Sequence, residues 1–183
     1  MTALLVLAGI AVAIILWLIG IFNALVKLRN RVKNAWSQID VQLKRRHDLI
    51  PNLVETAKGY MKHENTTLEN ITKARNLAQN ASGVGEQGKA EAGLSQAMSN
   101  FFVVVENYPE LKANENFLAL QEELTSTENK IGFSRQFYND ETMQFNTKIE
   151  MFPSNIVAGM FNFVAGDFFE TEDESADPPS VTF

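Results

Sequence analysis

The chain begins with an unbroken apolar run and then settles into a three-four rhythm of apolar positions. Ala3 to Phe22 holds no polar side chain, and no charged residue precedes Lys27. Twenty residues at about 1.5 Å each make a helix roughly 30 Å long, which matches the hydrocarbon core of a bilayer. A cleaved signal peptide would need a basic leader, a shorter apolar run and a small-residue cleavage site. Here no Lys or Arg leads, and the run ends Ile19-Gly20-Ile21-Phe22-Asn23-Ala24-Leu25-Val26 without an A-x-A step. The pattern predicts a retained transmembrane helix over residues 1–26. Beyond it Leu25, Leu28, Val32, Trp36, Ile39, Leu43, Ile50, Leu53 and Ala57 recur mostly three and four apart. That is one apolar stripe on a helix leaving the membrane without a break.

Pro51 lacks an N–H donor and crowds the preceding turn, so a kink near His47 is expected. The stripe resumes through Tyr60, Leu68, Ile71 and Leu77 after a break at the His63–Thr66 step, and stops at Ser82-Gly83-Val84-Gly85. A second helix is predicted over about 86–107, with Leu94, Ala97, Met98, Phe101, Phe102 and Val105 on its apolar side and Pro109 closing it. A third begins near Asn114, a good N-cap three residues before Phe117. It carries Leu118, Leu124, Ile131, Phe133, Phe137, Phe145, Ile149 and Phe152 down to Pro153. No segment alternates with a strand period. The expected fold is all-α, with the transmembrane helix continuing into an antiparallel bundle of long helices over residues 27–153. Trp36 reads as a packing knob of the first stripe, and Arg45 and Arg46 as neighbours of little consequence for stability.

Charge orients the molecule. Lys27, Arg29, Arg31, Lys33, Lys44, Arg45 and Arg46 face only Asp40 and Asp48 in the first 22 residues after the anchor. The positive-inside rule puts this flank and the bundle in the cytoplasm, the short N-terminus outside, and the anchor in the inner membrane. The collar of Lys27, Arg29, Arg31 and Lys33 can also attract anionic head groups of the lipid bilayer. The far end differs in kind. Residues 154–169 form an aromatic segment, and residues 170–183 an acidic tail, read as solvated and flexible, with Glu170, Glu172, Glu174, Asp173 and Asp177. The aromatic segment is too short to span a bilayer, so it packs on the bundle, docks on another subunit or touches the membrane surface. Met160, Phe161, Phe163, Phe168 and Phe169 are its candidate self-association residues, which points to a homo-oligomer.

Chemistry is sparse. There is no cysteine, only two histidines and a formal charge of −6, which leaves no thiolate site, no dense histidine site and no nucleic-acid partner. Gly83-Val84-Gly85-Glu86-Gln87-Gly88 fits G-x-G-x-x-G, but a dinucleotide site needs that motif between a strand and a helix. Helix precedes it here, so it reads as a turn. His63-Glu64 lacks the companions of a metal site, and His47 reads as a solvated histidine. Glu122, Glu123 and Glu128 read as ordinary carboxylates of a polar helix face. The sequons at Asn65, Asn70 and Asn80 matter only in a glycosylating compartment. No catalytic residue, cofactor or metal is expected.

The run Phe22-Asn23-Ala24-Leu25-Val26-Lys27-Leu28-Arg29-Asn30-Arg31-Val32-Lys33-Asn34-Ala35-Trp36-Ser37-Gln38-Ile39-Asp40 closely resembles the LemA family. So do Arg45-Arg46-His47-Asp48-Leu49-Ile50-Pro51-Asn52-Leu53-Val54, Tyr138-Asn139, Phe152-Pro153-Ser154-Asn155-Ile156-Val157-Ala158 and the end near Phe168-Phe169-Glu170. Phe161-Asn162-Phe163 departs from the Gly-Phe-Lys step such proteins often carry, which removes a basic contact there. The resemblance implies a bacterial membrane protein with one N-terminal helix and an all-helical body, and offers no catalytic residues to carry over. A magnetosome-membrane relative implies a role in membrane organisation, and genomic association implies links to membrane proteases.

Two classes of function follow. One is a membrane-anchored scaffold that self-associates and organises membrane or membrane-protein complexes, without catalysis. The alternative is ligand sensing or hydrolysis in an interhelical cleft, against which stand the missing nucleophile–base pair, metal set and phosphate loop. An adaptor for a membrane protease is a variant of the first.

Overall fold

Six helices make up the regular structure of residues 1–169, which are those the computed structural model describes; the acidic tail expected at 170–183 lies outside them. In chain order they are α1 Thr2–Lys58, α2 Asn65–Asn80, α3 Val84–Val105, α4 Pro109–Lys112, α5 Glu115–Glu150 and α6 Ser154–Met160. No strand occurs among the described residues, so the all-α expectation holds.

The apolar run and the first stripe share one helix of 57 residues, α1. Its apolar 18-residue window is long and apolar enough to cross a membrane, and none of the window's residues is buried. Further along, Leu25, Ile39, Leu43, Ile50, Leu53 and Ala57 turn inward, with Val32 and Trp36 half-buried. These positions fall on two interleaved series seven residues apart, the spacing that keeps one seam of a helix facing its neighbours.

The expected interruption at Pro51 is absorbed. The helix runs on past the proline to Lys58. A proline leaves the carbonyl four residues back without its amide donor, and here that carbonyl belongs to His47. The Arg75 guanidinium Nε–H donates to it from α2 at 2.6 Å. A side chain from another helix has replaced the lost amide.

Shorter signals set the other boundaries. Gly83 starts α3 at φ +87°, a left-handed conformation that glycine adopts without a Cβ penalty. The Gln87 side-chain amide donates to Ala78 O at 2.9 Å, tying the start of α3 to the end of α2. Asn114 caps α5 as expected, its Oδ1 accepting from the Phe117 N–H at 3.0 Å. Along α5 the buried hydrophobic residues are Phe117, Leu124, Ile131, Tyr138 and Phe145, each seven after the last. Leu118, Phe133 and Phe137, expected on that face, lie one or two places off the seam and are exposed. Leu77, beside buried Ala78, is exposed for the same reason.

The chain forms two compact units, and α1 and α5 each contribute to both. Residues 1–38 and 136–167 make one, residues 39–135 with Phe168 and Phe169 the other. In the first, Leu25, Val157 and Ala158 form the core, with Leu18, Ile21, Phe22, Ile149 and Phe163 packed against it. In the second, Ile50, Leu53, Ile71, Leu94, Phe101, Leu111 and Phe117 are the centre of a larger core drawn from α1 to α5.

Candidate functional site

Two places collect the residues that could act: a buried polar cluster in the larger unit, and the basic stretch after the apolar run in the smaller one. The polar cluster starts from a gap in the α1 stripe. Between Leu43 and Ile50 the inward position is filled by Arg46, which is buried. A guanidinium in an apolar seam needs charge and hydrogen bonds around it, since its desolvation costs several kcal/mol. They come from two other helices. Glu91 of α3 is itself buried, with a carboxylate oxygen 3.6 Å from Arg46 Nη1. Glu128 of α5 reaches in from a half-exposed position to 3.1 Å. Arg46 Nη2 also donates to Ser95 Oγ at 2.8 Å.

His47 is not solvated, contrary to expectation. It is buried, its Nε2 lies 2.8 Å from Glu91 Oε1, and the Gln87 amide donates to the same oxygen at 2.8 Å. The reason is steric as well as polar: His47 adjoins Arg46 on the helix face that α3 covers, and the one carboxylate serves both. Arg46 likewise departs from its expected indifference to stability, whereas Arg45 remains half-exposed and pairs with Glu123 on α5. Hydrogen bonding from Arg45, followed by its charge, holds the Glu123 carboxyl below the usual range. Glu128, read from sequence as ordinary, is recruited. Glu91 was missed altogether, although it lies three residues before Leu94 and seven before Met98 on the buried stripe of α3.

Beside the cluster opens a cleft of about 640 Å³, lined by Arg46, Glu91, Ser95, Gln96, Glu128 and Arg135, with Phe169 at its wall. Arg46 Nε finds no hydrogen-bond partner among the described residues. The cleft has cationic and anionic walls, and on its lining the Ser95 hydroxyl donates to Glu128 Oε1 at 3.3 Å. Among the described residues no group of three His, Cys, Asp or Glu side chains is placed to hold a metal ion. Gly83 and Gly85 sit at a helix-to-helix turn, as read from the sequence, and His63 is exposed on the α1–α2 connection.

Just after the apolar run Lys27, Arg29, Arg31 and Lys33 are all exposed. The Arg29 guanidinium lies 5.1 Å from the centre of the Phe163 ring. That ring is half-buried against Phe22 and Phe145, and Phe161 meets Phe22 with ring centres 4.8 Å apart. The segment behind α6 is pinned by backbone-like bonds. Asn146 donates to Gly166 O at 2.9 Å and accepts from the Gly166 N–H at 2.8 Å, and Tyr138 Oη donates to Asp167 O at 2.8 Å. A Cβ on Gly166 would stand 3.4 Å from Thr142 Cγ2, an ordinary van der Waals contact. Burial is the main reason the Tyr138 phenol is pushed up; a bond with Thr142 opposes this and the Asp167 charge adds to it. The five aromatic-segment residues therefore divide. Phe169 is buried in the chain's own fold and Phe163 is half-covered, while Met160, Phe161 and Phe168 remain exposed.

The LemA family profile matches residues 35–183, which include the whole Arg45–Val54 run and the Phe152–Ala158 run. The chain belongs to the LemA family. Among LemA-family relatives, Protein LemA of Metamycoplasma hominis is 31% identical over 76% of this chain and 64% of its own length. The LemA-family chain thus spans just under two thirds of that relative. Magnetosome protein MamQ 2 of Paramagnetospirillum magneticum is 24% identical over 98% of this chain and 76% of its own. Magnetosome protein MamQ of Magnetospirillum gryphiswaldense is 23% identical over 93% and 72%.

Proposed function

We propose that this LemA-family protein is a membrane-anchored helical scaffold that self-associates and organises membrane or membrane-protein complexes, without catalysis of its own. One observation carries the reading: the apolar run and the bundle stripe belong to a single helix, α1, with no linker between them. A body continuous with such a helix stays at the membrane, which suits positioning better than diffusion. The exposed apolar side chains Leu77, Val103, Phe133 and Phe137 offer contact points for a second copy or a membrane protein, a protease among the possible partners. Relatives named as magnetosome proteins support a membrane-organising role. The basic collar favours an inner-membrane orientation with the bundle in the cytoplasm.

The test is the mass of the detergent-extracted full chain by light scattering, alone and with Phe133→Ser and Phe137→Ser together. A multimer that loses copies on the double substitution is expected; a monomeric mass at all concentrations would remove self-association. Labelling Leu77→Cys with an impermeant maleimide in spheroplasts reads the orientation, protection being expected until the membrane is opened. A second reading, small-ligand sensing, is favoured by the cleft at Arg46 and its Nε, which has no hydrogen-bond partner among the described residues. It predicts that a panel of small anions raises the unfolding temperature of the full chain and that Arg135→Ala abolishes the effect.

A further inference from the structure

The end of the first compact unit carries a surface that the scaffold reading leaves unexplained. From Met151 to Gly166 no residue is charged, and much of this stretch faces outward. Phe152 is 78% exposed, Ile156 53%, Met160 66%, Phe161 55% and Val164 78%. Ile156 and Met160 lie one turn apart on α6, while Val157 and Ala158 on its other side are buried. An apolar face of this kind needs a partner, and its position says which. Val157 and Ala158 pack with Leu25, and Leu18, Ile21 and Phe22 pack against the same cluster. Those α1 residues are the last turns of the apolar run, where a spanning helix leaves the hydrocarbon. The basic collar that follows, Lys27 to Lys33, marks the head-group level on the same helix. Arg29 reaches from that collar to the Phe163 ring, so the segment lies at the collar's height.

We infer that α6 and the chain around it, residues 151–164, form a second membrane contact, seated in the boundary between acyl chains and head groups of the leaflet from which α1 emerges. The inference rests on α1 spanning the bilayer. Uncharged, aromatic and aliphatic, the segment suits that depth, where an apolar face sinks about 5–10 Å below the head groups. Fixed beside α1, it needs no affinity for lipid in isolation; the anchor has already brought it to the surface. Two contacts, unlike one, hold the emerging helix against tilt and rotation.

The chain has no cysteine, so single sites can be spin-labelled in the full-length protein. Phe152→Cys, Ile156→Cys, Met160→Cys and Val164→Cys would be labelled in proteoliposomes of phosphatidylcholine and phosphatidylglycerol. Leu7→Cys serves as the anchor reference, and Leu77→Cys and Val103→Cys as bundle references, with far-UV circular dichroism confirming helicity. Collision with oxygen relative to a water-soluble nickel complex should be several-fold higher at Ile156 and Met160 than at Leu77 and Val103, approaching the Leu7 value. Aqueous accessibility at all four sites with a lipid-like Leu7 would overturn the second contact and leave the anchor standing. An aqueous Leu7 would overturn both. Immobilised labels shielded from both reagents, with spin–spin broadening relieved by unlabelled chain, would show that a second copy covers the face and would overturn the lipid assignment.

Discussion

Replacing Arg46 with methionine should destabilise the larger unit although methionine fits an apolar seam better than arginine does. The reason lies in what is left behind. At an effective dielectric of about 20, unit charges 3.6 Å apart attract by about 5 kcal/mol, a gross figure set against several kcal/mol for desolvating each ion. The pair is therefore close to neutral as a whole, but removing one member strands the other. Breaking buried pairs costs about 3–5 kcal/mol. Glu91 keeps His47 and the Gln87 amide, each at 2.8 Å, which places Arg46→Met at the lower end, about 3 kcal/mol. Replacing both, Arg46→Met with Glu91→Leu, removes the stranded charge. What remains is an unpaired His47 nitrogen, costing about 1–2 kcal/mol, and a half-exposed Glu128 that solvent can serve. The double variant should thus be more stable than Arg46→Met alone. The assay is urea unfolding of the full chain in mild detergent, followed by circular dichroism, as a double-mutant cycle. Additive losses within about 0.5 kcal/mol would refute the coupling. So would an Arg46→Met variant as stable as the original chain.

Trp36 is half-buried with its ring edge-on to Tyr138 at 5.6 Å, so Trp36→Ala should cost about 2 kcal/mol rather than the ~3–5 of a fully buried aromatic, by the same unfolding measurement. Arg75→Met should cost about 1–3 kcal/mol by stripping the His47 carbonyl of its donor, and the loss should shrink in a Pro51→Ala background, where an amide N–H is restored. Tyr138, with its phenol raised by burial, should contribute stability that is complete below its unfolded value near pH ~10 and lost as pH rises through the higher folded one. Tyr138→Phe should remove that alkaline fall from a stability–pH profile, leaving only the background slope.

The sequence determined the helices and little of what they hold. A charge-free run of twenty residues can only be satisfied by lipid or a deep interior, and a stripe at three-four spacing can only be helical, so both were legible from Ala3 to Ala57. The Asn114 cap and the Gly83 turn were legible too, because each depends on a backbone conformation within a few residues. Even the polar cluster left a trace, as Arg46 fills the missing beat between Leu43 and Ile50, and Glu91 continues the stripe of Leu94 and Met98 backward. That trace names no partner. Arg46 and Glu91 stand 45 positions apart, and only the packing of α3 on α1 converts two misplaced charges into a pair, with His47 drawn in beside them. The same holds for Pro51, whose neighbourhood foretold a disturbance that Arg75 cancels from α2. Propensity and periodicity act over a turn or two of chain, whereas desolvation is decided by whichever distant side chain the tertiary fold brings within hydrogen-bond reach. The apolar run needed only the first kind of information; the buried charges and the uncharged face of α6 needed the second.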